Sequence, residues 1–194
     1  MRKLKVDGSE GPLTSDVLLA LQLRTANDPW FPRLKDFECK GATGVIIPFT
    51  PLFLSPNTTR VEITFDKGTP TTVAAPMISG LSTLCPNLER IVLSGLPRAS
   101  VITDAVSEML LACNRDTLKA LHVDYPLTEE AREVVCKLPR LSHLWVIIQG
   151  SGSLPTVALP NLVTIDVEYD HDLNWLQGFR GATLEKLESV GIYS

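Results

Sequence analysis

The sequence predicts an α/β chain of stacked strand-and-return units, a right-handed solenoid with a parallel β-sheet on its concave face and helices or turns on its convex face. Seven times an apolar or substituting residue is followed at +3 and +5 by two more: Leu34/Phe37/Cys39, Thr58/Val61/Ile63, Leu88/Ile91/Leu93, Leu118/Leu121/Val123, Leu141/Leu144/Val146, Leu162/Ile165/Val167 and Leu187/Val190/Ile192. The first members lie 24, 30, 30, 23, 21 and 25 residues apart. Between the motifs the hydrophobic pattern changes from alternation to helical spacing, which separates such a solenoid from an all-β sandwich. In addition, Pro32, Pro86, Pro139 and Pro160 each stand two residues before the leucine that opens a motif.

This spacing sits at or just above the roughly 20–29 residues of a leucine-rich repeat, a unit that can bury its apolar edge only against its neighbours. Residues 1–30 are expected to form a helical cap, with a helix over about 14–25, and residues 31–194 about seven repeats; no linker divides the chain, which reads as one domain over 1–194. The basic residues Arg2, Lys3 and Lys5 read as a solvated terminus. Pro76 is expected to open a helix that carries Met77, Ile78, Leu81 and Leu84 on one face. A second helix is expected from about Thr103 and Asp104 through Ala105, Val106, Met109, Leu110 and Cys113, with Asn114 as a left-handed cap. In the third, Thr128 is the N-cap, Glu129 and Glu130 favour the positive helix start, Ala131, Val134, Val135 and Leu138 follow, and Pro139 stops it. Gly150 to Pro155 read as a turn, and Leu173 to Phe179 as one helical stretch. Thr58 is a weak opening residue, and Leu184 offers a competing register for the last motif.

Composition excludes several classes of function. With 44% hydrophobic and 21% charged residues the chain is globular rather than disordered. A net charge of −4 provides no basic stripe to replace the counterions of a nucleic acid, so none is expected as a partner. MRKLKVDGSEG has no apolar run behind its charges, so neither a signal peptide nor a membrane anchor is expected, and the protein is read as intracellular, cytoplasmic or nuclear. Cys39, Cys85, Cys113 and Cys136 include no close pair of the zinc or thioredoxin type and read as small buried hydrophobes. The Asn57-Thr58-Thr59 sequon has no role without a secretory route. No Gly-x-Ser-x-Gly is present, and the Gly41-Ala42-Thr43-Gly44 pair lacks the lysine of a phosphate loop. The run Asp166, Glu168, Asp170, His171 and Asp172 reads as a solvated acidic edge, and His122 with His143 lacks a third ligand. Catalytic residues, cofactors and metals are therefore not expected.

Pro32-Arg33-Leu34, Cys85-Pro86-Asn87-Leu88, Leu138-Pro139-Arg140-Leu141, Leu159-Pro160-Asn161-Leu162, Ile102-Thr103-Asp104 and Leu127-Thr128-Glu129-Glu130-Ala131-Arg132 resemble the leucine-rich region of the fungal, basidiomycete-type F-box protein family, over about residues 30–194. The resemblance implies a module in which the repeats capture a protein substrate for a ubiquitin ligase. An F-box upstream of them would dock on the adaptor and cullin subunits. About 30 residues precede the first repeat and show no three-helix block of F-box type, so the chain is expected to be a fragment or a shortened member. The alternative is a stand-alone repeat scaffold, or a truncated fragment, with no ligase role.

Because side chains alternate along a strand, the residues between the inward apolar positions must face the concave surface. Those are Asp36, Glu38 and Lys40; Arg60, Glu62 and Thr64; Arg90, Val92 and Ser94; Ala120, His122 and Asp124; His143, Trp145 and Ile147; Thr164, Asp166 and Glu168. On strands about 4.8 Å apart, Val92, His122, His143, Trp145 and Ile147 are expected to form one patch, with Arg90 and Asp166 at its margin. An outward tryptophan is a typical interface anchor, and a protein partner is expected there. The rival reading is that a loop of the same chain or a further segment covers Trp145.

Overall fold

The computed structural model describes residues 2–8, 16, 18–20, 29–148, 159, 161–169 and 186–192, of which 148, 167–169 and 186–192 as backbone alone. Its strands are β1 (Lys3–Asp7), β2 (Asp36–Ala42), β3 (Arg60–Phe65), β4 (Arg90–Ser94), β5 (Ala120–Pro126), β6 (His143–Ile148), β7 (Thr164–Tyr169) and β8 (Lys186–Ile192). They form one all-parallel sheet in sequence order, open at β1 and β8. A 3-10 turn at Ile47–Phe49 runs into the one-turn helix α1 (Thr50–Phe53), and the later returns carry α2 (Thr71–Leu84), α3 (Ser100–Ala112) and α4 (Glu129–Cys136). No described helix is long and apolar enough to cross a membrane.

Register follows the motifs closely. Phe37, Val61, Ile91, Leu121, Leu144 and Ile165 are successive partners across six strands, and so are Cys39, Ile63, Leu93, Val123, Val146 and Val167. Where their side chains are described they are buried, in one cluster with Ala74, Ile78 and Leu81 of α2, Ile102, Val106 and Met109 of α3, and Ala131 and Val135 of α4. The layers are thus a sheet and a row of helices on its inner face. Burying each such aliphatic side chain contributes about 1.5–3 kcal/mol, and none of these units could obtain that burial alone.

Each unit is also tied to the next by the same polar contacts. The carbonyls of Arg2, Lys35, Thr59, Glu89, Lys119 and Ser142 each accept from two consecutive amides at the start of the following strand. Pro32, Pro56 and Pro139 occupy the second place of turns closed by Leu34, Thr58 and Leu141, whose amides donate three residues back. Proline suits that place because its ring fixes the turn's φ and its missing N–H is not needed. The following asparagine then reaches back one unit: Asn57 Nδ2 donates to the Pro32 carbonyl at 2.9 Å, Asn87 to Pro56 at 3.4 Å and Asn161 to Pro139 at 2.7 Å. Thr58, in a leucine's place, is fully buried and satisfied: its Oγ1 donates to the Leu34 carbonyl and accepts from the Ser55 amide.

Several sequence expectations need correction. The N-terminal residues are not a solvated tail: Lys3–Asp7 pair in parallel with Asp36–Lys40, and Leu4 and Val6 pack against the core. Of the expected N-terminal helix, residues 16 and 18–20 are helical and Leu18 is fully buried, while the rest lies outside the described residues. Helix α2 starts at Thr71 and runs through Pro76, which is exposed, so water can satisfy the carbonyl that its ring leaves without a donor. Helix α3 starts at Ser100, and Cys113 is its C-cap. Asn114 instead shapes the next turn, its Oδ1 accepting from the Asp116 amide. In the last strand Leu187 pairs with Ile165, and Val190 with Val167 after a register shift. The motif is therefore set one step earlier than Leu187/Val190/Ile192, as the competing Leu184 register implies at its start. The expected turn over 150–155, the helical stretch over 173–179 and Leu184 itself lie outside the described residues.

The third helix follows its signals. Thr128 Oγ1 accepts from the Ala131 amide at 3.2 Å, Glu129 and Glu130 fill the first turn, and the helix ends at Cys136 ahead of Pro139. All four cysteines are free and buried. Burial pushes the Cys85 thiol up to about 12 and those of Cys39, Cys113 and Cys136 to about 11.

Candidate functional site

The sheet face turned away from the helices is ordered in rows because the strands share one register. One row runs Lys5, Glu38, Glu62, Val92, His122, Trp145 and Asp166; its neighbour runs Lys3, Asp36, Arg60, Arg90, Ala120, His143 and Thr164. Each is one side-chain step from an inward apolar residue of the same strand, which is why alternation suffices to find it.

At the N-terminal side this face is filled by its own ion pairs. Asp36 receives Arg60 in a two-pronged contact, Nε to Oδ1 at 2.6 Å and Nη2 to Oδ2 at 2.8 Å. Glu38 lies beneath lysines: its Oε2 is 2.7 Å from Lys5 Nζ and 3.4 Å from Lys3 Nζ, and Lys40 Nζ is 3.8 Å from Oε1. The Lys5 hydrogen bond lowers the Glu38 pKa against the opposing effect of burial. Lys3, Asp36, Glu38 and Arg60, with Glu62 and Arg90, line a shallow open pocket of about 250 Å³. With most of its charges already paired, it offers little to a ligand.

The central strands differ. His122 and Trp145 stack, ring centroids 4.2 Å apart and planes at 21°, and Val92 sits beside His122 in the row. Val92 is buried by its neighbours, His122, Trp145 and Ile147 are partly buried, and His143 is exposed. His143 stands in the adjoining row, with Nδ1 2.9 Å from Ser142 Oγ. Ile147 pairs with Pro126 and Glu168 beyond a register shift, and Arg90 is exposed. The residues expected in one patch are therefore on one face, with the stacked pair at its centre and His143 beside it.

Asp124 has a structural task that the motif did not signal: its carboxylate accepts from the amides of Gly95 and Leu96. Gly95 has φ of +69° and follows β4, so Asp124 secures a turn on the preceding strand. Burial lowers the His122 pKa, opposed by the charges of Asp124, Asp166 and Glu62 and assisted by Arg90. The net effect favours the uncharged form of the ring that stacks on Trp145. Among the described residues, no group of three histidine, cysteine, aspartate or glutamate side chains is placed to hold a metal ion. The acidic run beyond Tyr169 lies outside the described residues.

Comparison with family models, curated proteins and solved structures returns no match to the chain. The geometry of this face is thus the guide to its use.

Proposed function

We propose that the chain is a leucine-rich-repeat solenoid of right-handed hand that binds a protein on its concave face, as the substrate-recognition part of an F-box type ubiquitin ligase subunit. The observation that carries the binding reading is the outward Trp145, stacked on His122 in a row with Val92 and on the same strand as Ile147, on a face whose charges toward β1 are paired with one another. An aromatic anchor of this kind contributes about 2 kcal/mol or more when a partner buries it. The repeat reading is supported by the six-strand register and by the Asn-to-Pro contacts that recur from unit to unit. The ligase role rests on the sequence resemblance.

Affinity capture with the full chain tests both parts. A protein retained by the wild type and lost by Trp145→Ala, with the fold intact, supports the binding site. Equal capture by both refutes it. Co-purification of adaptor and cullin subunits supports the ligase role, and capture of a partner without them favours a stand-alone scaffold.

A further inference from the structure

Charge is distributed unevenly over the concave face. The carboxylates of Asp36 and Glu38 are met by Arg60 and by Lys3 and Lys5, and that of Asp124 by two backbone amides. Glu62 and Asp166, in the same row on either side of Val92, His122 and Trp145, have no hydrogen bond or ion pair among the described residues. Among the described side chains Arg90 is the cation whose charge acts on His122, outnumbered there by Glu62, Asp124 and Asp166.

Stacking between adjacent strands turns the indole plane across the strand-to-strand direction. His122, on β5, covers one indole face; the other is turned toward β7, where Asp166 is the register partner of Trp145. A flat cation fits between an aromatic face and a carboxylate, because the ring quadrupole and the acid attract it together. Guanidinium fits better than ammonium: it is planar, weakly hydrated, stacks on indole and presents parallel N–H groups to the acid.

We infer that the concave face takes a basic segment of its protein partner, with an arginine side chain seated between the β7-side face of Trp145 and the Asp166 carboxylate. This deepens the proposed function and rests on it, since it identifies the chemistry of the partner at that same patch.

A fluorescein-labelled peptide of Gly-Ser-Arg repeats, and the same peptide with citrulline in place of arginine, test it by fluorescence anisotropy on the full chain. The arginine peptide should bind at least about tenfold tighter, the scale of a stacked and paired guanidinium. Asp166→Asn should erase that preference, whereas Asp104→Asn, which removes an exposed charge on α3, should retain it. Trp145→Phe should keep binding within a few-fold, since an aromatic face remains, and it guards against a folding defect in Trp145→Ala. Equal binding of the two peptides, or an equal effect of both aspartate variants, overturns the inference. If the captured partner of the proposed function is still lost in Trp145→Ala while the peptides bind alike, the partner site stands and the arginine inference alone falls.

Discussion

Leu144 and Trp145 are neighbours in β6 with opposite tasks, and replacing each by alanine separates core from surface. Leu144 is 4% exposed and pairs in register with Leu121 and Ile165, so its truncation leaves a hole in the stack that neighbouring units cannot close. Removing a buried leucine in this way costs about 3 kcal/mol, and for a domain of this size that lowers Tm by about 6–12 °C. Trp145 loses its stack on His122 and some packing, about 1 kcal/mol. In partner binding the order reverses: Trp145→Ala should weaken affinity by about 30-fold or more, and Leu144→Ala should change it little where the protein is folded. Urea unfolding followed by circular dichroism gives the first comparison, and titration of the captured partner gives the second. If Trp145→Ala lowers the urea midpoint as far as Leu144→Ala does, Trp145 is a core residue and the reading of the face is wrong.

Gly95→Ala should destabilise by about 2–4 kcal/mol, because its φ is +69° and an added Cβ would meet the Phe65 carbonyl oxygen; an unchanged urea midpoint would contradict this. Glu38 has a lowered pKa in the folded state, so its contribution is present above its unfolded value near 4.5 and disappears as pH falls through the lower folded value. Wild type should accordingly be more stable than Glu38→Gln near neutral pH, with the gap closing in acid, and a gap that widens in acid would refute the assignment. The buried cysteines, with Cys85 raised to about 12, should not react with a thiol reagent such as dithionitrobenzoate in the native protein and should all react in urea. Rapid labelling without denaturant would show that burial is incomplete.

The inward rows were legible because a period of two within each strand and a recurrence every twenty to thirty residues leave one arrangement that buries every motif. The same alternation placed Trp145 and His122 outward, and equivalent places in successive motifs predict a shared row. Their stacking follows from that row, although sequence cannot give a ring distance. The first strand was missed because Lys3 and Lys5 drew attention as a charged terminus, yet Leu4 and Val6 alternate with them as an edge strand requires. The 3-10 turn and α1 are too short to show a helical period, and they carry Pro48 and Pro51. Each lies in a first turn, where a missing N–H costs nothing. Pro76 produced the opposite error, since a proline taken for a helix start sits inside α2 on an exposed surface. The Asn-to-Pro contacts escaped notice although Pro56-Asn57, Pro86-Asn87 and Pro160-Asn161 repeat in sequence. Their meaning depends on which carbonyl the next unit presents.

The different fates of the acidic residues bear on why the face is built this way. β1 is the edge of the sheet among the described residues, and lysines on such an edge discourage the addition of another strand. Placing Glu38 beneath Lys3 and Lys5 holds those charges on the edge while neutralising them locally. The same solution was open to Glu62 and Asp166, since a lysine at the place of Val92 or Trp145 would lie one strand from an acid. Instead the intervening places carry an aliphatic group and two stacked rings, which attract nothing from those carboxylates. Acids that find no partner among the described residues, set beside aromatic surface, contribute nothing to folding that a paired arrangement would not supply better. The arrangement gains a purpose once a cation arrives from outside the chain, and this is why the arginine assignment follows from the charge pattern rather than from the exposure of Trp145 alone.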